Sequence, residues 1–241
     1  MSKVNCIRIK NRLLSALPPK EYERLLPHLE TVSLTFKQII YAANEPIEYV
    51  YFPNSGVISL VNITENGGTI EAAMVGNEGM VGIPVLLRAD RMVGQAVAQI
   101  VGDAQRMKVD VFKREVAPGS PLYNLLLRYT QALMNQISQS VVCNRMHSVE
   151  KRCCRWLLLC QDRAHSDQFP LTQELLSQML GVRRASVSEV AAILQKAGLI
   201  HYTRGKITIL DRLGLEAASC ECYRIVKQEF DRLLRESWNS D

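Results

Sequence analysis

Residues 171–210, LTQELLSQMLGVRRASVSEVAAILQKAGLIHYTRGKITIL, constrain the chain more than any other stretch. Apolar residues recur at helical spacing on both sides of Gly181, and two alternating runs, LIHYT and KITIL, flank Arg204-Gly205. Two short amphipathic helices, a glycine turn and a basic hairpin give the layout of a winged helix-turn-helix. In such a module the second helix is shaped to enter a DNA major groove. Double-stranded DNA is therefore the partner class implied first.

Within this segment Thr172 is placed to N-cap the first helix, its hydroxyl taking an otherwise orphaned N–H. Leu176 and Leu180 face a core, Ser177 is small enough for a close helix crossing, and Gly181 permits a left-handed turn. Val182, Val187, Val190 and Leu194 continue the apolar face as scaffold. The outward positions of the second helix are Arg183, Arg184, Ser186, Ser188 and Glu189. Arginine can bridge guanine N7 and O6 or clamp a phosphate, and a carboxylate can accept from cytosine N4. Two arginines at a helix start oppose the helix macrodipole, so an anionic partner explains them better than helix stability does. A two-residue loop containing glycine signals a hairpin, and Arg204 and Lys206 put positive charge at its tip, suited to phosphate. With Thr172 these residues form the candidate DNA-contacting set.

Charge distribution agrees. Residues 1–120 carry 13 Lys/Arg against 12 Asp/Glu, whereas residues 143–210 carry 10 against 5, so the net charge of +5 is concentrated around the helix-turn-helix. That is the electrostatic footprint of a phosphate-binding surface. At 241 residues and 47% hydrophobic, the chain can bury a real core and has the length of two domains. Lys3, Arg8, Lys10 and Arg12 interrupt any signal-peptide-like run, and no apolar stretch approaches the roughly 20 residues of a membrane span. Seven scattered cysteines suit a reducing compartment. The expectation is a soluble, bacterial-type cytoplasmic protein with no membrane partner.

Residues 11–30 predict a helix that Pro18-Pro19 breaks early and restarts, proline being tolerated in a first helical turn. Short β-rich runs follow at 39–41, 49–52, 57–63, 69–75, 96–101 and 106–111, separated by turns such as Pro53-Asn54-Ser55-Gly56 and Asn66-Gly67-Gly68. Their spacing predicts an antiparallel jelly-roll or barrel of about eight strands. Residues 121–147 predict a long helix on which Leu122, Leu126, Tyr129, Leu133, Ile137 and Val141 recur at three- and four-residue steps. Taken alone, that stripe fits packing on its own barrel. Coupled to a helix-turn-helix it fits a twin helix, because such readers bind two half-sites as symmetric dimers. Residues 149–163 predict a helix at the base of the DNA module, and 214–236 an extra C-terminal helix. The fold class is α+β, divided at 1–120, 121–147, 148–213 and 214–241.

With this order visible, the chain resembles the Crp/Fnr family of bacterial transcription regulators over residues 12–213. The most specific parts are Leu180-Gly181-Val182-Arg183-Arg184-Ala185-Ser186-Val187-Ser188, together with Asn44-Glu45-Pro46, Tyr49-Val50-Tyr51-Phe52 and Gly56, which look like the opening strands of a cyclic-nucleotide-binding-type domain. The resemblance implies a homodimer joined through residues 121–147, a pseudo-palindromic promoter site, RNA polymerase as a further partner, and a small-molecule or redox effector acting on the barrel.

The departures matter. Cyclic-AMP-binding members carry Gly-Glu-x-Gly followed by an Arg-Ser or Arg-Thr pair. Here the first element is Gly79-Met80-Val81-Gly82, with methionine where the ribose-holding glutamate belongs. The second falls near Val93-Gly94-Gln95 and has no arginine, and the helix position that reads adenine is Ile137, beside Ser138. Without a charge-assisted phosphate contact, cyclic AMP is not expected to bind in the usual manner. The last base-reading position, often arginine in the family, is Glu189, the usual glutamate one turn earlier is Ala185, and Arg183 replaces the usual Ser/Thr N-cap. The cognate site should therefore be atypical. Only Cys6 lies near the N-terminus, which disfavours the iron–sulfur branch, and His28, His147, His165 and His201 make no case for haem.

Cys153, Cys154 and Cys160 sit in an apolar helical context and read as core, whereas Cys220-x-Cys222 suits a thiol switch. No C-x2-C spacing gives a zinc site, so no metal is expected. An enzyme is disfavoured, because nothing sets a base, an orienting carboxylate and an oxyanion turn around any cysteine. Gly76-Asn77-Glu78-Gly79 does not open a Walker motif. A thiol-responsive or effector-independent regulator of the same fold is the alternative reading.

Overall fold

Asn11 is buried and bonds in two directions. Its side-chain carbonyl accepts from the backbone N–H of Leu13 (3.1 Å) and Leu14 (3.2 Å), capping α1 (Arg12–Ser15), while its amide donates to the carbonyls of Pro53 (2.8 Å) and Gly79 (3.0 Å). The computed structural model describes residues 9–203 and 205–235. The helix expected at 11–30 does break and restart at Pro18-Pro19: α1 is followed by α2 (Pro19–Leu25), which starts at the second proline. Glu30 already belongs to a strand.

Seven strands follow: β1 (Glu30–Leu34), β2 (Ile39–Tyr41), β3 (Tyr49–Pro53), β4 (Val57–Ile63), β5 (Thr69–Val75), β6 (Gln95–Ile100) and β7 (Gly102–Lys108). They form two antiparallel sheets in the orders β1-β7-β3 and β2-β6-β4-β5, a jelly-roll-like arrangement and not a closed barrel. Leu34, Phe52, Ile58 and Met107 are fully buried among them. Gly56 at the β3–β4 turn has φ +80, and a Cβ there would stand 2.5 Å from the Ile100 carbonyl oxygen, so only glycine fits. α3 (Ile83–Leu86) interrupts the strands after β5, and α4 (Val109–Glu115) ends the sensor-like unit. The run expected as strand at 106–111 thus turns helical from Val109.

The long helix is α5 (Pro121–Met146), N-capped by the Ser120 hydroxyl, which accepts from the Tyr123 N–H at 3.2 Å. Its buried stripe runs through Leu122, Leu126, Tyr129 and Leu133 and continues through Gln136, Ser140 and Cys143. This corrects the dimerisation set. Leu122, Leu126, Tyr129 and Leu133 pack inside their own chain, while Ile137 and Val141 are 37% and 66% exposed. A helix of 3.6 residues per turn rotates away from the four-residue steps that joined Leu133 to Ile137 and Val141, and the inward positions beyond Leu133 carry polar residues. Gln136 is satisfied inside: its amide donates to the Met74 carbonyl at 3.0 Å.

The remaining elements are α6 (Val149–Ala164), β8 (Gln168–Pro170), α7 (Gln173–Leu180), α8 (Arg184–Lys196), β9 (Ile200–Thr203), β10 (Lys206–Ile209), α9 (Arg212–Ala218) and α10 (Cys222–Arg235). The expected C-terminal helix is therefore broken at 219–221. α10 packs along α5, with Asn135 donating to Glu229 at 2.7 Å and the Phe230 ring tilted against Tyr129 at 6.2 Å between centroids. One contiguous apolar cluster joins sheets and helices from Leu13 to Leu234.

The units meet at buried polar contacts. Arg163 of α6 donates through Nε to Glu78 Oε1 (2.7 Å) and through a terminal nitrogen to Gln136 Oε1 (2.8 Å), so the β5–α3 loop, α5 and α6 share one guanidinium. Glu71 of β5 accepts from the Ser59 hydroxyl and from Trp156 Nε1 of α6 (3.0 Å). Withdrawal from water pushes its carboxyl up to about 7. A carboxyl that holds its proton more tightly when folded favours the fold below its ordinary range, and that contribution is lost as pH rises through about 7. Glu71→Gln is therefore expected to raise Tm over the parent more at about pH 8 than at about pH 5. Equal shifts at both pH values in thermal denaturation would contradict this.

Candidate nucleic-acid interface

Thr172 caps α7 as its position predicted: Leu175 N–H donates to Thr172 Oγ1 at 3.1 Å. Gly181 ends the helix with φ 62 and ψ 42, the left-handed geometry the turn requires. Leu176, Leu180, Val187, Val190 and Leu194 are buried, and Ser177 is buried at the α7–α8 crossing. A terminal nitrogen of the buried Arg152 side chain on α6 donates to the Leu180 carbonyl, filling one of the acceptors left open at the α7 C-terminus.

The outward set separates by exposure. Arg183, Arg184 and Glu189 are exposed, while Ser186 and Ser188 are half-buried. Arg183 is the N-cap residue of α8 with no side-chain cap bond, which leaves its guanidinium uncommitted to the helix start. The Ser188 hydroxyl contacts Gln173 Oε1 at 2.8 Å, tying the start of α7 to α8. Gln173 was not singled out by sequence, and nothing in its spacing marks it. Lys206 is exposed at the start of β10, beside Gly205 with φ 78. Arg204, like Cys6, lies outside the described residues. The wing is a three-stranded sheet in the order β8-β10-β9, the strand β8 having passed unnoticed because it is three residues long. It is fixed by Tyr202 N–H donating to Gln195 Oε1 (2.8 Å) and Tyr202 OH donating to the Leu171 carbonyl (3.1 Å). Together, the N-terminal turn of α8 and the wing present cationic side chains on a rigid base.

The reading module is not free of the sensor-like unit. α7 packs against β5, and a Cβ on Gly181 would stand 2.8 Å from Ile70 Cδ1. A cleft of about 860 Å³ runs between the β4–β5 hairpin (Thr64, Gly68, Ile70) and Gln178, Arg183 and Arg184.

The effector candidates do not converge. Gly79, Met80, Val81 and Gly82 lie inside the protein, Val93 is 81% exposed at the entry to β6, and Gly94 abuts the Val61 carbonyl. Gln95 is half-buried in β6, and Ile137 and Ser138 are exposed on α5. Ser138 lines a cleft of about 510 Å³ against α10, with Gln139 and Ile225. The chain's own side chains fill the 79–82 loop. Tyr129 OH donates to the Met80 carbonyl (3.1 Å), Asn11 to the Gly79 carbonyl, and Tyr41 OH to the Val81 carbonyl (3.1 Å). A Cβ on Gly79 would stand 2.4 Å from Tyr129 OH, so loop and helix touch directly.

One cluster escaped the sequence. Cys143, His147, Cys220 and Cys222 come together where α5 ends and α10 begins, against the expectation that no metal-type group forms. More than seventy residues separate the two halves in sequence; Cys143 and His147, one helical turn apart, were the only local signal. Cys153, Cys154 and Cys160 are buried in α6, and burial pushes each thiol up. Among the described residues no helix is long and apolar enough to cross a membrane.

Two family models match the chain: a cyclic nucleotide-binding domain over residues 31–117 and a Crp-like helix-turn-helix domain over residues 151–218. No curated protein sequence matches it. Among solved structures, FixK2 from Bradyrhizobium japonicum is similar with a TM-score of 0.67 at 17% identity, over 80% of this chain and 98% of that one. A CRP-family transcriptional regulator from Thermus thermophilus gives 0.66 at 20% identity, over 78% and 96%. The c-di-GMP-responsive global regulator CLP of Xanthomonas campestris gives 0.62 at 15%, over 80% and 100%. At these identities the likeness is one of fold. With both domain models matched in this order on either side of a long helix, the chain belongs to the Crp/Fnr family of transcription regulators.

Proposed function

We propose that the protein acts as a homodimer that reads a pseudo-palindromic DNA site, inserting the N-terminal turn of α8 into successive major grooves. The observation that carries this reading is the exposed, uncapped arginine pair Arg183–Arg184 at the start of a helix whose opposite face is wholly buried. Ser186, Ser188 and Glu189 complete the reading surface, and Lys206 with Arg204 supplies phosphate contact from the wing. Two recognition helices would sit about 34–36 Å apart on the DNA. RNA polymerase is a further partner of this reading.

The dimer contact in this reading is the outer face of α5. Leu127, Met134 and Val141 recur there at seven-residue steps with Ile137 between them, and all four are exposed in the single chain. That spacing is the seam of a two-helix coiled coil. The effector is not cyclic AMP in the family's usual mode, because the loop that would hold its ribose and phosphate is packed by Asn11, Tyr41 and Tyr129. The c-di-GMP-responsive relative supports a fold open to other signals.

Arg184→Ala is expected to weaken specific binding by about 1–3 kcal/mol and to relax one base position, whereas Lys206→Ala lowers affinity evenly across sequences and reduces the salt slope by about one. Binding-site selection and salt titration read both. Identical motifs for parent and Arg184→Ala would sink the base-reading assignment, and a shift of the parent's titration curve on adding cyclic AMP would contradict the reading of the 79–82 loop. Met134→Glu is expected to convert the dimer to monomer in sedimentation velocity. A dimer that persists would place the contact elsewhere.

A further inference from the structure

Three cysteines and a histidine from two distant segments meet at one point. Cys143 and His147 lie at the end of α5, Cys220 in the break between α9 and α10, and Cys222 at the first position of α10. Cys143 and Cys222 are fully buried and Cys220 is nearly so. The three form a small cluster of their own, apart from the main core. Cys143 Sγ stands 3.5 Å from Cys220 Sγ, and Cys222 Sγ 3.5 Å from His147 Nδ1. All four ligand atoms lie within 4.8 Å of one another. A tetrahedral zinc ion with Zn–S near 2.3 Å and Zn–N near 2.0–2.1 Å has ligand–ligand edges of about 3.5–3.8 Å.

The surroundings are those of a ligand set. His147 Nε2 lies 3.3 Å from Glu221 Oε1, an arrangement that suits the tautomer whose Nε2–H donates to the carboxylate and whose Nδ1 lone pair faces the sulfurs. Gln139 Nε2 donates to Cys222 Sγ at 3.1 Å, a bond that favours thiolate. Simple apolar packing explains neither the imidazole nor the amide aimed at these sulfurs.

We infer that Cys143, His147, Cys220 and Cys222 form a structural site for a divalent, thiolate-preferring cation of the zinc type, clamping the C-terminal extension to the end of the long helix. Four protein ligands close the coordination sphere, which marks a structural and not a catalytic zinc site. Binding would convert three thiols to thiolates, their protons leaving to solvent, with His147 ligating as the neutral imidazole. Because Ser148 N-caps α6, the clamp sits at the joint between α5 and the DNA module.

Metal analysis of the full-length protein purified without chelator should find about one zinc per chain. Cys220→Ser/Cys222→Ser should carry none, and Cys153→Ala, outside the cluster, should keep it. Cobalt exchange should give tetrahedral d–d and thiolate charge-transfer bands. Should the double variant fail to fold, alkylation of the parent decides: a chelator should uncover Cys143, Cys220 and Cys222 together while Cys153, Cys154 and Cys160 stay protected. A parent that neither carries zinc nor takes up cobalt would overturn the inference. So would zinc retained by a folded double variant, a reactivity pattern the chelator leaves unchanged, or a Cys143–Cys220 disulfide in protein prepared under reducing conditions.

Discussion

A carboxylate and a guanidinium withdrawn from water are tolerated only as a pair with their remaining valences filled, and Glu78 and Arg163 meet that condition. Arg163 reaches Glu78, Gln136 and the Leu159 carbonyl at once, and its guanidinium lies 5.9 Å from the Phe230 ring. Four segments therefore depend on one side chain: the loop after β5, the long helix, the first helix of the DNA module, and the C-terminal helix. A Cβ on Gly76 would stand 2.5 Å from Arg163 Cγ, so the loop itself is shaped to admit the arginine. Removing either partner leaves the other charged and buried.

The same loop is where the family resemblance puts a nucleotide cradle. Here it is spent on joining parts of the chain. Its carbonyls are taken by Asn11, Tyr41 and Tyr129, and its one carboxylate by Arg163. The sensor-like sheets nonetheless remain in mechanical contact with the reading module. Ile70 lies beneath Gly181 at the α7–α8 turn, Glu71 accepts from Trp156, and Arg152 holds the end of α7. A displacement of the β4–β5 hairpin must be borne by α6 and α7, and α8 is packed on both.

Local chemistry was legible wherever it is local. The Thr172 cap, the left-handed Gly181, the Pro53–Gly56 turn and strands β2, β4 and β5 follow from residue type and period alone. What failed depends on partners distant in sequence. The inner face of α5 passes through Gln136 and Ser140, which patterning places outside; the Met74 carbonyl and Arg163 draw Gln136 in, and the Ser140 hydroxyl donates to the Gln136 carbonyl. Strand β1 was missed because its residues are largely exposed and alternate weakly. The helix expected at 214–236 breaks at Ser219–Glu221, and the break with the first residue of α10 delivers Cys220 and Cys222 to the end of α5. The family's effector residues were placed by analogy in sequence, and packing disperses them.

The most direct test is a double-mutant cycle on the buried pair, with Glu78→Gln, Arg163→Met and the double variant unfolded in denaturant. The account predicts that each single change costs about 3–5 kcal/mol and that the double variant loses less than the sum by about 1–3 kcal/mol. Single losses that are small and add to within about 0.5 kcal/mol would contradict it.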